Sequence, residues 1–220
     1  MSGLLAGPIR GVATAVLRAP VPLDRPMRLT ADEEGVRLTS LDGALLIGEA
    51  RPGNSTELPE PPAAPSLEAA QAAAPTFIGL IRPFHPVCFT CGVLDDGFGC
   101  RVFAGQVEGA PAGHVASPWT PHANFVDEEG LTRLEVVWAA LDCPGSVAWV
   151  VQEGGGGLLG TMTCEVLRRP RADEACIVTA WPIERSGRKS LSGTALFTAE
   201  GELLARSRQI WIGRAPTPPE

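Results

Sequence analysis

The stretch Gly130-Leu-Thr-Arg-Leu-Glu-Val-Val-Trp-Ala-Ala-Leu-Asp-Cys-Pro-Gly-Ser-Val-Ala-Trp-Val-Val151 is the longest segment that reads as one buried helix, so the fold must be able to enclose it. Leu131, Leu134, Val137, Leu141 and Val147 recur at helical spacing. Val136, Ala139, Ala140 and Trp149 leave little polar face, as in a helix covered on most sides. Asp127, Glu128 and Glu129 precede it, where an Asp can cap free amides and carboxylates complement the helix dipole. The charges inside the run are Arg133, Glu135 and Asp142, and the two acids fall two turns apart on one face. Each has a structural explanation, Glu135 as a partner of Arg133 and Asp142 as a cap near the break at Pro144. Each also has a functional one, because charges are seldom buried without pairing or purpose.

The 220-residue chain is 45% hydrophobic, which fits one good core or two small ones. A net charge of −7, with 18 basic residues and no basic run, leaves no electrostatic footprint for nucleic acid. No unbroken apolar run reaches about 18 residues, and Met1-Ser-Gly-Leu-Leu-Ala6 lacks the charged leader of a signal peptide, so no membrane partner and a cytoplasmic location are expected. The 6 cysteines are then expected as reduced thiols. Cys164 and Cys176 lie in strand-like runs and read as small apolar residues. His85-Pro-Val-Cys88-Phe-Thr-Cys91, with Cys100 beyond, offers soft ligands to zinc, but a structural zinc site usually shows a second close pair. The segment is therefore read as a tight turn lined with thiols, and no metal or other cofactor is expected.

Four short strands are expected over 11–18, 27–31, 36–40 and 44–50, with Leu41-Asp-Gly43 giving the Asp-Gly signal of a tight hairpin. Residues 53–75 read as a linker, Pro-rich and then Ala-rich from Ser66, with room for one or two helical turns. After the Cys-x-x-Cys turn come a loop over Asp95–Gly99, a strand over Cys100–Phe103 and another over His114–Trp119. Gly154 to Gly157 is a flexible turn, and the lack of a following Lys-Ser/Thr removes any phosphate-loop reading. Long strands follow over 158–168, 175–183, 190–198 and 202–212, then a frayed tail over 214–220.

The two ends of the chain repeat one another. Val16-Leu-Arg-Ala-Pro20 parallels Val166-Leu-Arg-Arg-Pro170, Leu29-Thr-Ala31 parallels Val178-Thr-Ala180, and Asp42-Gly-Ala-Leu-Leu46 parallels Glu200-Gly-Glu-Leu-Leu204, in the same order. Residues 1–52 thus read as a truncated unit, a strand meander without its long helix, and 76–220 as a complete one.

A long buried helix followed by four antiparallel strands resembles the α+β hotdog fold, an antiparallel sheet wrapped around a long central helix. Leu141-Asp142, Val166-Leu-Arg-Arg-Pro170, Gly187-Arg188 and Glu200-Gly-Glu-Leu-Leu-Ala205 make the chain similar to acyl-CoA thioesterases of the phenylacetate-pathway type. The resemblance implies an acyl-CoA or acyl-carrier thioester as substrate, with Asp142 as base or nucleophile. It also implies substrate contacts at Trp138, Gly130, Arg188 and Lys189. The family's His-Gly-Gly falls on Arg133-Leu-Glu135, a departure that leaves Gly130 and the free amides of the first turn as the oxyanion donors on offer. The dehydratase branch of the fold implies instead His122 with Glu135 as acid and base, and an acyl-binding protein without chemistry is the third reading. Hotdog units pair, so a homodimer is expected unless the internal repeat meets that need within one chain.

Overall fold

The computed structural model describes residues 1–83, 85–94 and 99–213. Most of the loop expected over Asp95–Gly99 and the whole tail from Arg214 to Glu220 lie outside the described residues. Ten strands form a single antiparallel sheet: β1 (Ala13–Leu17), β2 (Met27–Asp32), β3 (Gly35–Ser40), β4 (Leu46–Pro52), β5 (Gly105–Gln106), β6 (Val115–Trp119), β7 (Leu158–Val166), β8 (Cys176–Ser186), β9 (Lys189–Thr198) and β10 (Leu203–Ile212). Their order is β2-β3-β4-β1-β7-β10-β9-β8-β6-β5. It is mirrored about the central pair: β4, β3 and β2 run outward from β1 as β10, β9 and β8 run outward from β7. At the joint Ala13 faces Cys164 and Ala15 faces Met162, and the hydroxyls of Thr14 and Thr163 hydrogen-bond at 2.9 Å. The Asp-Gly hairpin forms as expected, with Gly43 at φ 75°, where glycine carries no Cβ penalty. The Asp42 carboxylate accepts from the Ala44 amide, closing the turn.

The helix expected over 130–151 forms as two, α4 (Leu134–Asp142) and α5 (Pro144–Glu153), which meet at Cys143. Pro144 brings no amide to the helical ladder and breaks it there. The chain leaves α5 through Gly154, left-handed at φ 73°, whose amide bonds back to Val150. The expected cap by Asp127 is not found. Arg133 is the N-cap residue of α4 and caps no amide with its side chain. Asp127 instead closes a preceding turn, accepting from the Glu129 and Leu131 amides and pairing with Arg169 at 2.6 Å. The strand expected over Cys100–Phe103 is also absent. Arg101 sits at φ 55°, outside extended backbone, and the Cys100 and Val102 amides bond instead to the carbonyls of Phe89 and Thr90.

Leu134–Glu153 together, with a mean hydropathy of 1.4, are long and apolar enough to cross a membrane, contrary to the expectation from unbroken runs. The sheet accounts for that composition: Val137, Ala140, Leu141, Val147 and Ala148 are buried against it. Burying each large aliphatic side chain contributes roughly 1.5–3 kcal/mol. One cluster joins Val137 and Leu141 of α4 to Ala15, Val36 and Ile47 on one side of the β1–β7 joint and to Met162, Leu196 and Leu204 on the other. A short helix that the sequence did not suggest, α1 (Ser2–Ala6), packs on α4. The approach is close: a Cβ at Gly3 would come within 2.6 Å of Glu135 Cα. The Ala-rich segment forms α2 (Leu67–Ala73), capped by the Ser66 hydroxyl on the Ala69 amide at 3.1 Å. It covers the opposite face of the sheet. Val115 of β6 packs with α5 residues, while the adjacent Ala116 packs with Ala70 and Ala73. A further short helix, α3 (Ile78–Ile81), leads into the thiol turn.

Candidate active site

Asp142 is the last residue of α4, so whatever fixes the helix break also aims its carboxylate. Beneath the break, the fully buried Gln209 of β10 donates from Nε2 to the Leu141 carbonyl at 2.7 Å, and its Oε1 accepts from the Trp211 indole at 2.9 Å. Ser192 of β9 donates to the Gly145 carbonyl at 2.7 Å. The sheet thus supplies donors to carbonyls at the break, where buried backbone groups need partners. Gly145 is required there, because a Cβ would overlap the Gln209 side-chain oxygen.

Asp142 is half-buried and lines a cleft of about 690 Å³ between α5, the glycine turn that follows it and the end of β10. Val147, Val150, Leu158, Leu159, Trp211 and Ile212 give the cleft an apolar wall. Among the described residues Asp142 is its one carboxylate, and His85, Ser146 and Arg188 are its other polar side chains. Burial pushes the Asp142 carboxyl up to about 7. Arg188 is exposed at the tip of the β8–β9 hairpin, where Gly187 takes φ 57°. Its Nε donates to the Gly213 carbonyl at 3.2 Å, and its own carbonyl accepts from the Gly213 amide at 2.9 Å. The cation is therefore held at the rim of the cleft by the Gly213 carbonyl.

Behind Asp142 lies a second group. The expected thiol turn forms, with the Cys88 amide on the His85 carbonyl and the Gly92 amide on the Cys88 carbonyl at 2.7 Å. Thr90 donates to the Ala139 carbonyl at 2.8 Å and fastens the turn to α4. This sets Cys88 3.5 Å from Cys143, sulfur to sulfur, while Cys100 remains apart from the group. The S–H groups of Cys143 and Cys91 donate to Cys88 and hold it far below the ordinary thiol range. Cys91 is pulled down by Cys143, but its own donation to Cys88 and its burial win, and it lies raised at about 12. Donation to Cys88 and to Cys91, with burial, holds Cys143 well above the usual value.

The structure separates the other residues singled out from sequence. Glu135 is exposed at the start of α4, makes no ion pair among the described residues, and does not line the cleft that Asp142 lines. No pairing of Glu135 with Arg133 is found among the described residues, and although the two acids lie two turns apart on α4, α1 lies against Glu135 and only Asp142 reaches the cleft. His122 is exposed, and its Nδ1 accepts from the Asn124 amide at 3.1 Å. Trp138 is buried in the main core, and Gly130, at φ 73°, closes the Asp127 turn. Lys189 is exposed beside Arg188. His85 and Cys143 were not singled out as site residues. His85 stood out only as a neighbour of the Cys-x-x-Cys pair, and Cys143 only by following Asp142.

No family model matches the sequence, and no curated protein does. Among solved structures, the tesB protein of Mycobacterium avium subs paratuberculosis aligns over 98% of this chain and 84% of its own, with a TM-score of 0.59 and 15% identity. Zebra fish thioesterase superfamily member 2 aligns over 50% of this chain and 80% of its own, at 17% identity and a TM-score of 0.45. A hypothetical thioesterase protein of Streptococcus pneumoniae TIGR4, in a structure with coenzyme A, aligns over 50% and 88%, at 12% identity and 0.46. The chain shares the fold of that tesB protein, a large antiparallel sheet with a long helical segment, consistent with the hotdog fold.

Proposed function

We propose that the chain hydrolyses an acyl thioester of coenzyme A or of an acyl-carrier protein, with Asp142 as general base or nucleophile. The observation that carries this reading is the position of Asp142 as the one carboxylate, among the described residues, in a cleft with a long apolar wall. As a base it takes a proton from water, whose oxygen attacks the thioester carbonyl carbon. The C–S bond then breaks and the leaving thiolate takes up a proton. The apolar wall suits the acyl chain, and Arg188 at the rim, with Lys189 beside it, suits the phosphates of the carrier. A dehydratase reading on His122 and Glu135 has less support, because neither lines the cleft.

The test is thiol release from a panel of acyl-CoA thioesters. Asp142→Asn lowers kcat by about 10²- to 10⁴-fold, Arg188→Ala raises KM, and Glu135→Gln and His122→Ala keep the wild-type rate. A wild type that binds acyl-CoA without releasing thiol is an acyl-binding module, and that result overturns the hydrolase reading.

We also propose that residues 1–52 are the strand half of a second hotdog unit, joined through 53–75 to a complete unit over 76–220. The mirrored strand order supports this. In this reading one chain fills the place that a partner takes in a homodimer, so light scattering gives a monomer. A dimer at micromolar concentration restores the homodimer expected from pairing.

A further inference from the structure

The thiol turn offers a site that hydrolysis does not use. Cys88, Cys91 and Cys143 come from two segments as much as 55 residues apart, yet their sulfurs all lie within 4.8 Å of one another. Three bonds of about 2.3 Å in a tetrahedral zinc site place sulfurs about 3.8 Å apart, and the Cys88–Cys143 separation of 3.5 Å is already close to that. The scaffold holds all three. Gly92 lets the turn tighten, since a Cβ there would come within 2.5 Å of the Cys88 carbonyl oxygen, and Thr90 anchors the turn on Ala139, one helical turn before Cys143. Cys91 is buried and the other two are half-buried, so an ion can enter while most of its shell is protein.

We propose that Cys88, Cys91 and Cys143 bind one zinc ion as thiolates. On binding, the thiol protons are released to solvent and the ion takes their place. Three thiolates leave one position of a tetrahedral ion for a further donor. Cys143 reaches the cleft, and His85, three residues before Cys88, lines the same cleft. Soft thiolates select zinc over magnesium or calcium, which take oxygen donors. The ion would add to Gln209 in fixing the helix break, joining the loop after α3 to the junction that carries Asp142. This inference is independent of the hydrolase reading, because metal is counted without any substrate.

The test starts from the full chain, purified under reducing conditions, incubated with zinc sulfate and freed of excess metal. Elemental analysis gives about one zinc per chain. Replacing zinc with cobalt(II) gives thiolate-to-cobalt charge-transfer absorption in the near ultraviolet and the visible bands of a tetrahedral ion. Cys88→Ser and Cys143→Ser each lower bound zinc at least about tenfold, whereas Cys100→Ser keeps it. The wild-type cobalt spectrum holds the idea to account even if a variant fails to fold. Fully reduced wild type that retains no zinc and shows no cobalt–thiolate band overturns the proposal. So does a Cys143→Ser variant that binds as well as wild type, or a disulfide among the three that re-forms in the presence of zinc.

Discussion

Gly145 and Gln209 illustrate how much of the site rests on single side chains that do no chemistry. Gln209 is fully buried and satisfies both the Leu141 carbonyl and the Trp211 indole. Gln209→Leu keeps the volume but leaves two buried polar groups without partners, at a cost of about 1–3 kcal/mol each. Gly145→Ala instead forces a methyl onto the glutamine oxygen, an overpacking that costs roughly 1–3 kcal/mol. Urea midpoints lowered in both variants, with thiol release reduced as the helix break shifts, are the expected outcome. Unchanged midpoints would remove these residues from the account of the break. Asp142 was legible in the sequence because a charge inside an apolar run needs a reason. Cys88 and Cys91 were legible as a spaced pair. Their convergence with Cys143 was not, because nothing in a lone cysteine after a helical Asp says which distant turn will dock there. Trp138 misled for the same reason: an aromatic on a core helix reads alike whether it faces a ligand or, as here, the core.

At the scale of elements, strands were more legible than helix ends. β7 to β10 fall within a few residues of their expected spans, because period-two patterns between turn residues survive in almost any packing. The start of α4 was misplaced because Asp127, Glu128 and Glu129 look like a first turn, but Arg169 draws Asp127 into a separate turn three residues before Gly130. That tie has a pH signature. The hydrogen bond from Arg169 holds the Asp127 carboxyl below the ordinary value. A depressed folded pKa gives stability that is fully present above the unfolded value, about 3.9, and is lost as pH falls through the folded one. The melting temperatures of wild type and Asp127→Asn should therefore differ at neutral pH and converge in acid below that range. A gap that stays constant through acid pH would show that the ion pair contributes nothing. Arg101, at positive φ, is the other element-scale lesson: Cys100–Phe103 has the composition of a strand, but its amides are taken by Phe89 and Thr90, and the thiol turn wins over the sheet.

For the molecule as a whole, the question is whether the strands of 11–52 and the helix-bearing remainder behave as one body. The sequence repeat pointed to two related sets of strands but not to how they join, since nothing local dictates that β1 pairs with β7. The sheet runs unbroken through that pair, and a single cluster holds Ala15, Val36 and Ile47 together with Leu141, Met162 and Leu204. A shared core makes unfolding cooperative, because neither side keeps its apolar face covered when the other leaves. The tryptophans provide a one-sided reporter: Trp119, Trp138, Trp149, Trp181 and Trp211 account for all 5 and lie outside the first four strands. Ala15→Asp places a carboxylate at a position that is 1% exposed in β1, far from water and without a partner. If the chain is one cooperative body, this change in a strand without tryptophan lowers the urea midpoint read by tryptophan fluorescence, and far-ultraviolet circular dichroism moves with it by the same amount. A tryptophan transition left where it is in wild type, while part of the circular dichroism signal is lost early, would mean that the first four strands unfold alone, and the reading of one continuous core would fall.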